Sequence, residues 1–270
     1  YLHDMRLYKS RSEVAVMRRA AKTSAKAHTE LMRQCRPGMH EYQLSSLFSH
    51  HCQMAGVAQL AYPSIVGGGN NGCVLHYIDN RDELVDGDLV LIDAGCEVDC
   101  YASDITRTFP INGQFTEPQR QLYQLVLDAQ HAAIDAVRPG NSWHAPHEAA
   151  VKVLTRGLVK LGLLKGQPAR LVKKEAYNKF YMHKTGHWLG MDVHDVGDYK
   201  VDGAWRMLEP GMVLTVEPGL YIPEGMRGVA KKWQGIGIRI EDDVLVTKDG
   251  HEVLTSDAPK EIDEIEALMA

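Results

Sequence analysis

Two aspartates sit where aspartates are rarely found, in the apolar or β-prone stretches Asp88-Leu-Val-Leu-Ile-Asp93 and Asp104-Ile-Thr-Arg-Thr-Phe109. Acids are seldom buried unless something pairs with them. Leu89 to Ile92 reads as a buried strand, Ile105 to Phe109 as a second, and the segment between them has the length of a hairpin. A hairpin symmetric about Val98 and Asp99 would set positions 93 and 104 opposite each other. Two like charges at that separation repel unless a cation lies between them, and a divalent metal is the natural cation.

A second stretch, Pro210-Gly-Met-Val-Leu-Thr-Val-Glu-Pro-Gly219, repeats the pattern of the first: Gly211 for Gly87, Glu217 for Asp93, Gly219 for Gly95. Each stretch is followed by another strand-like segment with an acid, Asp104 in the first case and Glu241 of Gly237-Ile-Arg-Ile-Glu-Asp-Asp-Val-Leu-Val246 in the second. The repeat is too long and too weak for a solenoid. It predicts two similar α/β halves that meet face to face, each supplying two carboxylates.

Histidines cluster between these stretches. His183, His187 and His194 fall within twelve residues, and imidazole is both a common metal ligand and an acid/base group. His183 and His187 have the spacing of the zinc helix motif His-Glu-x-x-His. Lys184 replaces the glutamate and Gly186 disfavours a helix, which argues against that motif. His76 lies in Cys73–Tyr77, which with Tyr62–Val66 forms a pair of strand candidates around Gly67-Gly-Gly-Asn-Asn-Gly72. That glycine-rich loop lacks the Gly-Lys-Ser/Thr ending of a phosphate cradle.

The elements that position these groups read as follows. Apolar residues at helical spacing predict a helix over residues 10 to 35, opened by Ser12 and stopped by Pro37-Gly38, and a second from His40 to Ala55 whose His50-His51 pair faces solvent. Thr116-Glu-Pro118 opens a helix that continues over Gln119 to Val137, and His144 to Leu161 forms another. Leu163 to Ala176 reads as a connector, and Asp257 to Ala270 as a polar, then helical tail. Helices and strands alternate, so the class is α/β or α+β.

A chain of 270 residues with 44% hydrophobic content supports one large domain or two intimately packed halves. The net charge of -5 gives no electrostatic footprint for nucleic acid, no basic run suits an anionic membrane, and no apolar run approaches a membrane span. The five cysteines, Cys35, Cys52, Cys73, Cys96 and Cys100, are odd in number and contain no Cys-x-x-Cys. They read as reduced thiols of a cytoplasmic protein. A start at Tyr1 rather than Met is expected for a trimmed or processed piece.

With Asp93, Asp104, His187, Glu217 and Glu241 assembled in that order, the chain resembles the metallopeptidases of the pita-bread fold, and within them the Xaa-Pro aminopeptidases. The resemblance is carried by Leu75-His-Tyr77, Leu91-Ile-Asp-Ala-Gly-Cys-Glu97, Ser103-Asp-Ile-Thr-Arg-Thr-Phe-Pro110, His187-Trp-Leu-Gly-Met-Asp-Val-His-Asp195, Leu214-Thr-Val-Glu-Pro-Gly-Leu-Tyr221 and Gly235-Ile-Gly-Ile-Arg-Ile-Glu-Asp-Asp243. It departs at Lys184, where relatives usually have Gly, and at Gln234, where Arg is expected. The implied fold is α+β, two pseudo-symmetric α/β halves with a curved antiparallel sheet, and residues 1–270 would be one catalytic domain. Full-length relatives carry a further N-terminal domain that commonly helps form oligomers, so a homo-oligomer is one expectation.

The resemblance also implies roles. Asp104 and Glu241 would bridge two divalent ions, Asp93 would complete one, and His187 with Glu217 the other. Four carboxylates and a neutral imidazole suit Mn²⁺ or a similar hard ion. Water between the ions would supply a hydroxide nucleophile near neutral pH. Glu217 would shuttle the proton, His76 and His194 would hold the peptide carbonyl oxygen, and His183, Tyr221 and Arg239 would line the pocket or brace the ligands. The substrate would be a peptide with an Xaa-Pro N-terminus. The alternatives are prolidase action on Xaa-Pro dipeptides, and a metal-free pita-bread protein that binds partners.

Overall fold

A short helix, α1 (Leu2–Leu7), leads into the long α2 (Arg11–Gln34) in the computed structural model, which describes residues 1–270. The cap of α2 is Ser10 rather than Ser12, because only Ser10 has an acid three residues on. Its hydroxyl accepts from the Glu13 amide at 3.4 Å while the Glu13 carboxylate accepts from the Ser10 amide at 2.6 Å. Such a box contributes about 1 kcal/mol. Helix α3 (Glu41–Met54) follows and packs on α2. On its far side His50 is exposed, while His51 is half-buried and bonded to Gln34.

Strands β1 (Gln59–Leu60) and β2 (Ile65–Gly68) come next, and then the acidic hairpin: β3 (Leu89–Asp93), β4 (Cys96–Val98), β5 (Tyr101–Ala102) and β6 (Thr106–Pro110). All pairings are antiparallel. The register differs from the expected one. Asp93 pairs with Thr106, and Val98 with Tyr101, so the hairpin is centred between Asp99 and Cys100. Both turn residues have positive φ, 48° and 67°, as a two-residue primed turn demands of its central pair. Asp104 therefore stands diagonal to Asp93 and not opposite it.

The strand expected at Cys73–Tyr77 does not form. Gly69–Cys73 is a 3-10 turn and the following residues are an open loop. Backbone and side-chain donors of this segment go to one buried carboxylate instead of a partner strand. Glu41 accepts from the Gly68 amide (2.8 Å), the Asn71 side chain (3.0 Å), the Tyr77 hydroxyl (2.9 Å) and the Asp82 amide (3.0 Å).

After the hairpin, helices α4 (Glu117–Asp135) and α5 (Ala145–Lys160) form an antiparallel layer. The expected connector beyond α5 contains a short helix, α6 (Pro168–Lys173), with proline in its first turn where no amide is needed. The second half adds β7 (Lys200–Val201), β8 (Ala204–Trp205), β9 (Val213–Val216), β10 (Gly219–Ile222), β11 (Ile236–Arg239), β12 (Asp242–Val246) and β13 (His251–Val253), closed by α7 (Ile262–Met269). Here β9 pairs with β12 as β3 pairs with β6. The ladder ends at Val216–Asp242, so continuing it one step sets Glu217 against Glu241. The facing-carboxylate geometry expected of the first half thus belongs to the second. The class is α+β, with two related halves.

One apolar cluster of 53 buried residues takes members from both halves, so the halves share a core. At their seam lies a buried ion pair. Arg107, with no exposed surface, donates to Asp242 (2.7 Å) and to the carbonyls of Glu241 (2.6 Å) and Ala258 (3.0 Å). Asp242 also accepts from Lys260, Gln130 and Thr255, so both charges are satisfied, the condition for tolerating such a pair. No helix is long and apolar enough to cross a membrane. All five cysteines are free, Cys96 buried and Cys100 exposed in the turn.

A second buried polar group ties α2 to the acidic hairpin. His28 is fully buried, and its Nε2–H donates to the Ala94 carbonyl at 2.9 Å. Burial pushes its pKa down to about 4 against the favourable hydrogen bond to Ala94. The unfolded chain, with an ordinary histidine near 6.5, then binds more protons than the native state between these values. Stability from this group is complete above pH ~6.5 and is lost as pH falls toward ~4. Between pH ~7.5 and ~5 the loss should be about 2 kcal/mol. Urea unfolding at the two pH values checks it: His28→Gln, which keeps a donor but does not titrate, should lose that much less than the native sequence. Equal losses in both would remove His28 as the cause.

Candidate metal centre

The ends of strands from both halves converge on one cleft of about 240 Å³, lined by the four acids Asp93, Asp104, Glu217 and Glu241, by the histidines 76, 183, 187 and 194, and by Arg239. Every site residue expected from the sequence lies here except Tyr221, which is fully buried behind His183. The tightest group is Asp104, His187 and Glu241, whose ligand atoms all lie within 4.8 Å of one another. His187 Nε2 is 3.4 Å from Asp104 and 3.9 Å from Glu217. Its Nδ1–H donates to the Trp188 carbonyl at 2.9 Å, which fixes the tautomer that leaves Nε2 free for an ion. Asp93 stands to one side, where Arg239 donates to it at 2.5 Å.

Close backbone approaches set this geometry. A Cβ on Gly186 would lie 1.9 Å from the Thr215 carbonyl, so only glycine lets the His183–His187 segment press against β9. On the other wall a Cβ on Gly237 would lie 2.1 Å from the Gly72 carbonyl, which seats the His76 loop on β11. The segment 183–187 is not helical, in keeping with the argument against the zinc helix motif. His76 and His194 are exposed at the cleft, and the ring of His194 meets that of His187 edge-on at 4.3 Å.

Burial, and then the neighbouring Asp104, Glu217 and Asp93, push the Glu241 carboxyl far above the usual carboxylate range. Burial likewise raises Glu217, and it raises Asp93 in spite of Arg239. Burial would raise Asp104 too, but the hydrogen bond and charge of His187 outweigh it and hold Asp104 low. Burial disfavours His187⁺, yet Asp104 and Glu217 raise that imidazole to about 9. The cleft thus holds protons first because its acids are buried and then because they lie close together, the electrostatic condition for taking up divalent cations. The donors are four carboxylates and an imidazole with no thiolate, which fits hard divalent ions.

Several bracing residues carry no sequence signal that singles them out. The Tyr62 hydroxyl lies between Asp93 (2.7 Å) and Asp104, and burial holds its pKa well above the usual tyrosine value, so it remains a donor. The Thr106 hydroxyl donates to Glu241 at 2.6 Å and accepts from Arg239 Nε at 3.0 Å. Arg239 also donates to the Tyr221 hydroxyl (3.1 Å), which is 2.8 Å from His183 Nε2, while His183 Nδ1 is 2.7 Å from the Lys184 carbonyl. Burial and Arg239 push His183 down to about 3. The neutral ring therefore donates from Nδ1 to Lys184 and accepts from Tyr221 at Nε2. Of the two departures from the family pattern, Lys184 lines the cleft, whereas Gln234 bonds Gly225, Met226 and Val229 in the β10–β11 connection.

Comparison with known proteins bears on this cleft directly. The chain is 52% identical to the Xaa-Pro aminopeptidase of Escherichia coli over 268 residues, 99% of this chain and 60% of that protein. It is 41% identical to human Xaa-Pro aminopeptidase 3, covering 99% of this chain and 52% of that one. The structure of Pseudomonas aeruginosa aminopeptidase PepP superposes with a TM-score of 0.98 at 59% identity, over 99% of this chain and 61% of its own. The chain thus spans between half and two thirds of the length of these relatives. The sequence pattern of metallopeptidase family M24 matches residues 15–248, a span that takes in all four acids and all four histidines of the cleft, and the chain belongs to that family.

Proposed function

We propose that the chain removes the N-terminal residue from peptides whose second residue is proline, with two divalent ions, Mn²⁺ by preference, held by Asp93, Asp104, His187, Glu217 and Glu241. The observation that carries this reading is the convergence of four carboxylates and one tautomer-fixed imidazole on a single cleft, in a chain half identical to an Xaa-Pro aminopeptidase. When bound, such ions polarise a carbonyl and bring the pKa of water toward neutrality. Glu217, at the edge of the ligand set, accepts a proton at its carboxylate and returns it to the departing proline nitrogen. His76 and His194 donate hydrogen bonds to the carbonyl oxygen as it gains charge. The acids attract the substrate's α-ammonium, which fixes cleavage one residue from the N-terminus.

His183 supplies a flat wall for the proline ring, whose fixed φ makes it a preorganised ligand, and Tyr221, buried behind His183, holds that imidazole in place. Arg239 holds Asp93 and the Tyr221 hydroxyl in place, so the wall and the ligands share one brace. The free thiols accord with a cytoplasmic setting and the family resemblance with a homo-oligomer.

The test compares kcat/KM for Gly-Pro-Ala, Gly-Pro, Gly-Ala-Ala and acetyl-Gly-Pro-Ala with Mn²⁺, Zn²⁺ or chelator present. Gly-Pro-Ala should be cleaved fastest, with Mn²⁺, and acetylation should abolish cleavage. Faster cleavage of Gly-Pro would favour prolidase. Faster cleavage of Gly-Ala-Ala would overturn the proline specificity.

A further inference from the structure

Lys9, between α1 and α2, and Asp195, the residue after His194, form an ion pair in which only 1% of either side chain is exposed. The Lys9 ammonium lies 3.2 Å from Asp195 Oδ2 and has no other side-chain partner. Arg6 of α1 donates to the other oxygen of Asp195 and, at 2.7 Å, to Asp192. The loop 190–195 is thus gripped at two of its acids by cations from a distant part of the chain. Glycine at position 190 admits the pair, because a Cβ there would lie 2.1 Å from Asp195 Oδ2 and 2.9 Å from Lys9 Nζ. Lys9 is itself fixed, its amide donating to the Gly211 carbonyl at 2.8 Å.

What this loop carries is His194. Its imidazole lines the cleft, exposed, and meets the ring of His187 edge-on at 4.3 Å, but no hydrogen bond holds it. His183 and His187 each have a brace at Nδ1, the carbonyls of Lys184 and Trp188. The place of His194 therefore depends on its backbone. That backbone is tied to the metal centre: the Trp188 carbonyl accepts from His187 Nδ1–H and from the Asp195 amide, each at 2.9 Å. The Gly190 carbonyl accepts from the Ala102 amide of the acidic hairpin, also at 2.9 Å. A buried ion pair contributes little net stability, because desolvation offsets the attraction. It does fix a geometry, since neither charge can leave without stranding the other in the interior.

We propose that Lys9 and Arg6 are positioning residues which, through Asp195, hold the His194 imidazole at the place of the substrate carbonyl oxygen. The assignment rests on the reading of His194 as a donor to that oxygen and extends it to residues that touch neither substrate nor ion.

Two measurements test it. In a kinetic cycle on Gly-Pro-Ala with Mn²⁺, Lys9→Met, which keeps the length of the side chain and removes its charge, should lower kcat by about tenfold, the cost of a misplaced group, with KM and metal content unchanged. His194→Ala should lower kcat by about 10²-fold, and Lys9→Met should cause no further fall in that background. An ion pair that served only the fold would add its loss to that of His194→Ala, so an additive cycle, or a native kcat in Lys9→Met, overturns the proposal. Hydrogen exchange needs no turnover. The amides of Gly190 and Asp195, bonded to the carbonyls of Asp192 and Trp188, should exchange about tenfold faster in Lys9→Met, while the Thr215 amide, bonded to His187, should keep its native rate. Unchanged exchange at the two loop amides also overturns the proposal. If Lys9→Met does not fold, Arg6→Gln, at a side chain 31% exposed, takes its place in both measurements with the same expected directions. Faster exchange in the loop, with no cleavage of any Xaa-Pro peptide by the native protein, would sink the peptidase reading and leave the anchor of His194 standing.

Discussion

Asp104→Asn should strip the protein of most of its bound metal and lower kcat/KM by about 10³-fold or more, since water without metal activation has a pKa far above neutrality. The substitution is nearly isosteric and keeps an oxygen for Tyr62, so packing around this buried position survives. What it removes is one negative charge from the tightest part of the cleft, where the ligand atoms of Asp104, His187 and Glu241 lie within 4.8 Å of one another. It also removes the partner that raises His187. Elemental analysis after dialysis, run beside the peptide assay, reads both effects. Lost activity with a full metal complement would show that Asp104 acts in the chemistry and does not hold the ion.

His76→Ala should do the converse: retain metal and lower kcat by about 10² to 10³, the cost of removing one donor to a developing oxyanion. His76 is exposed on the loop between β2 and β3 and belongs to no close ligand cluster. Its loop is fixed by Glu41 and by the approach of Gly72 to Gly237, neither of which depends on the imidazole. KM should change little, because the bond is made mainly in the transition state. Loss of metal on His76→Ala would overturn this role.

The acids were legible because charge inside apolar strands is costly and therefore conspicuous. The internal repeat added Glu217 and Glu241 at matching steps, and the four long helices followed from periodicity to within a few residues, whereas the six-residue α1 and α6 are too short to show a period. The hairpin register was not legible. It depends on Asp99 and Cys100 both adopting left-handed backbone, which neither residue announces as an Asn-Gly pair would. Tyr62 escaped notice for another reason: a tyrosine before proline in a strand-like run has many ordinary fates, and its acid partners are 31 and 42 residues away. The missing strand at Cys73–Tyr77 reflects a side chain outcompeting a ladder. Glu41 reads locally as nothing more than an acid in the first turn of a helix.

Glu41 also explains why its own carboxylate is no rival for the ions. A carboxylate offers about four acceptor positions, and Glu41 has given all of them to protein donors. In the cleft the vacancies are many: Glu217 accepts no protein hydrogen bond, Glu241 accepts one from Thr106, and the Asp104 side chain meets only Tyr62 and the ring of His187. Counted as vacancies and not as charges, the acids of this molecule separate into two kinds. A cation entering from solvent finds room only where the fold has withheld its own donors.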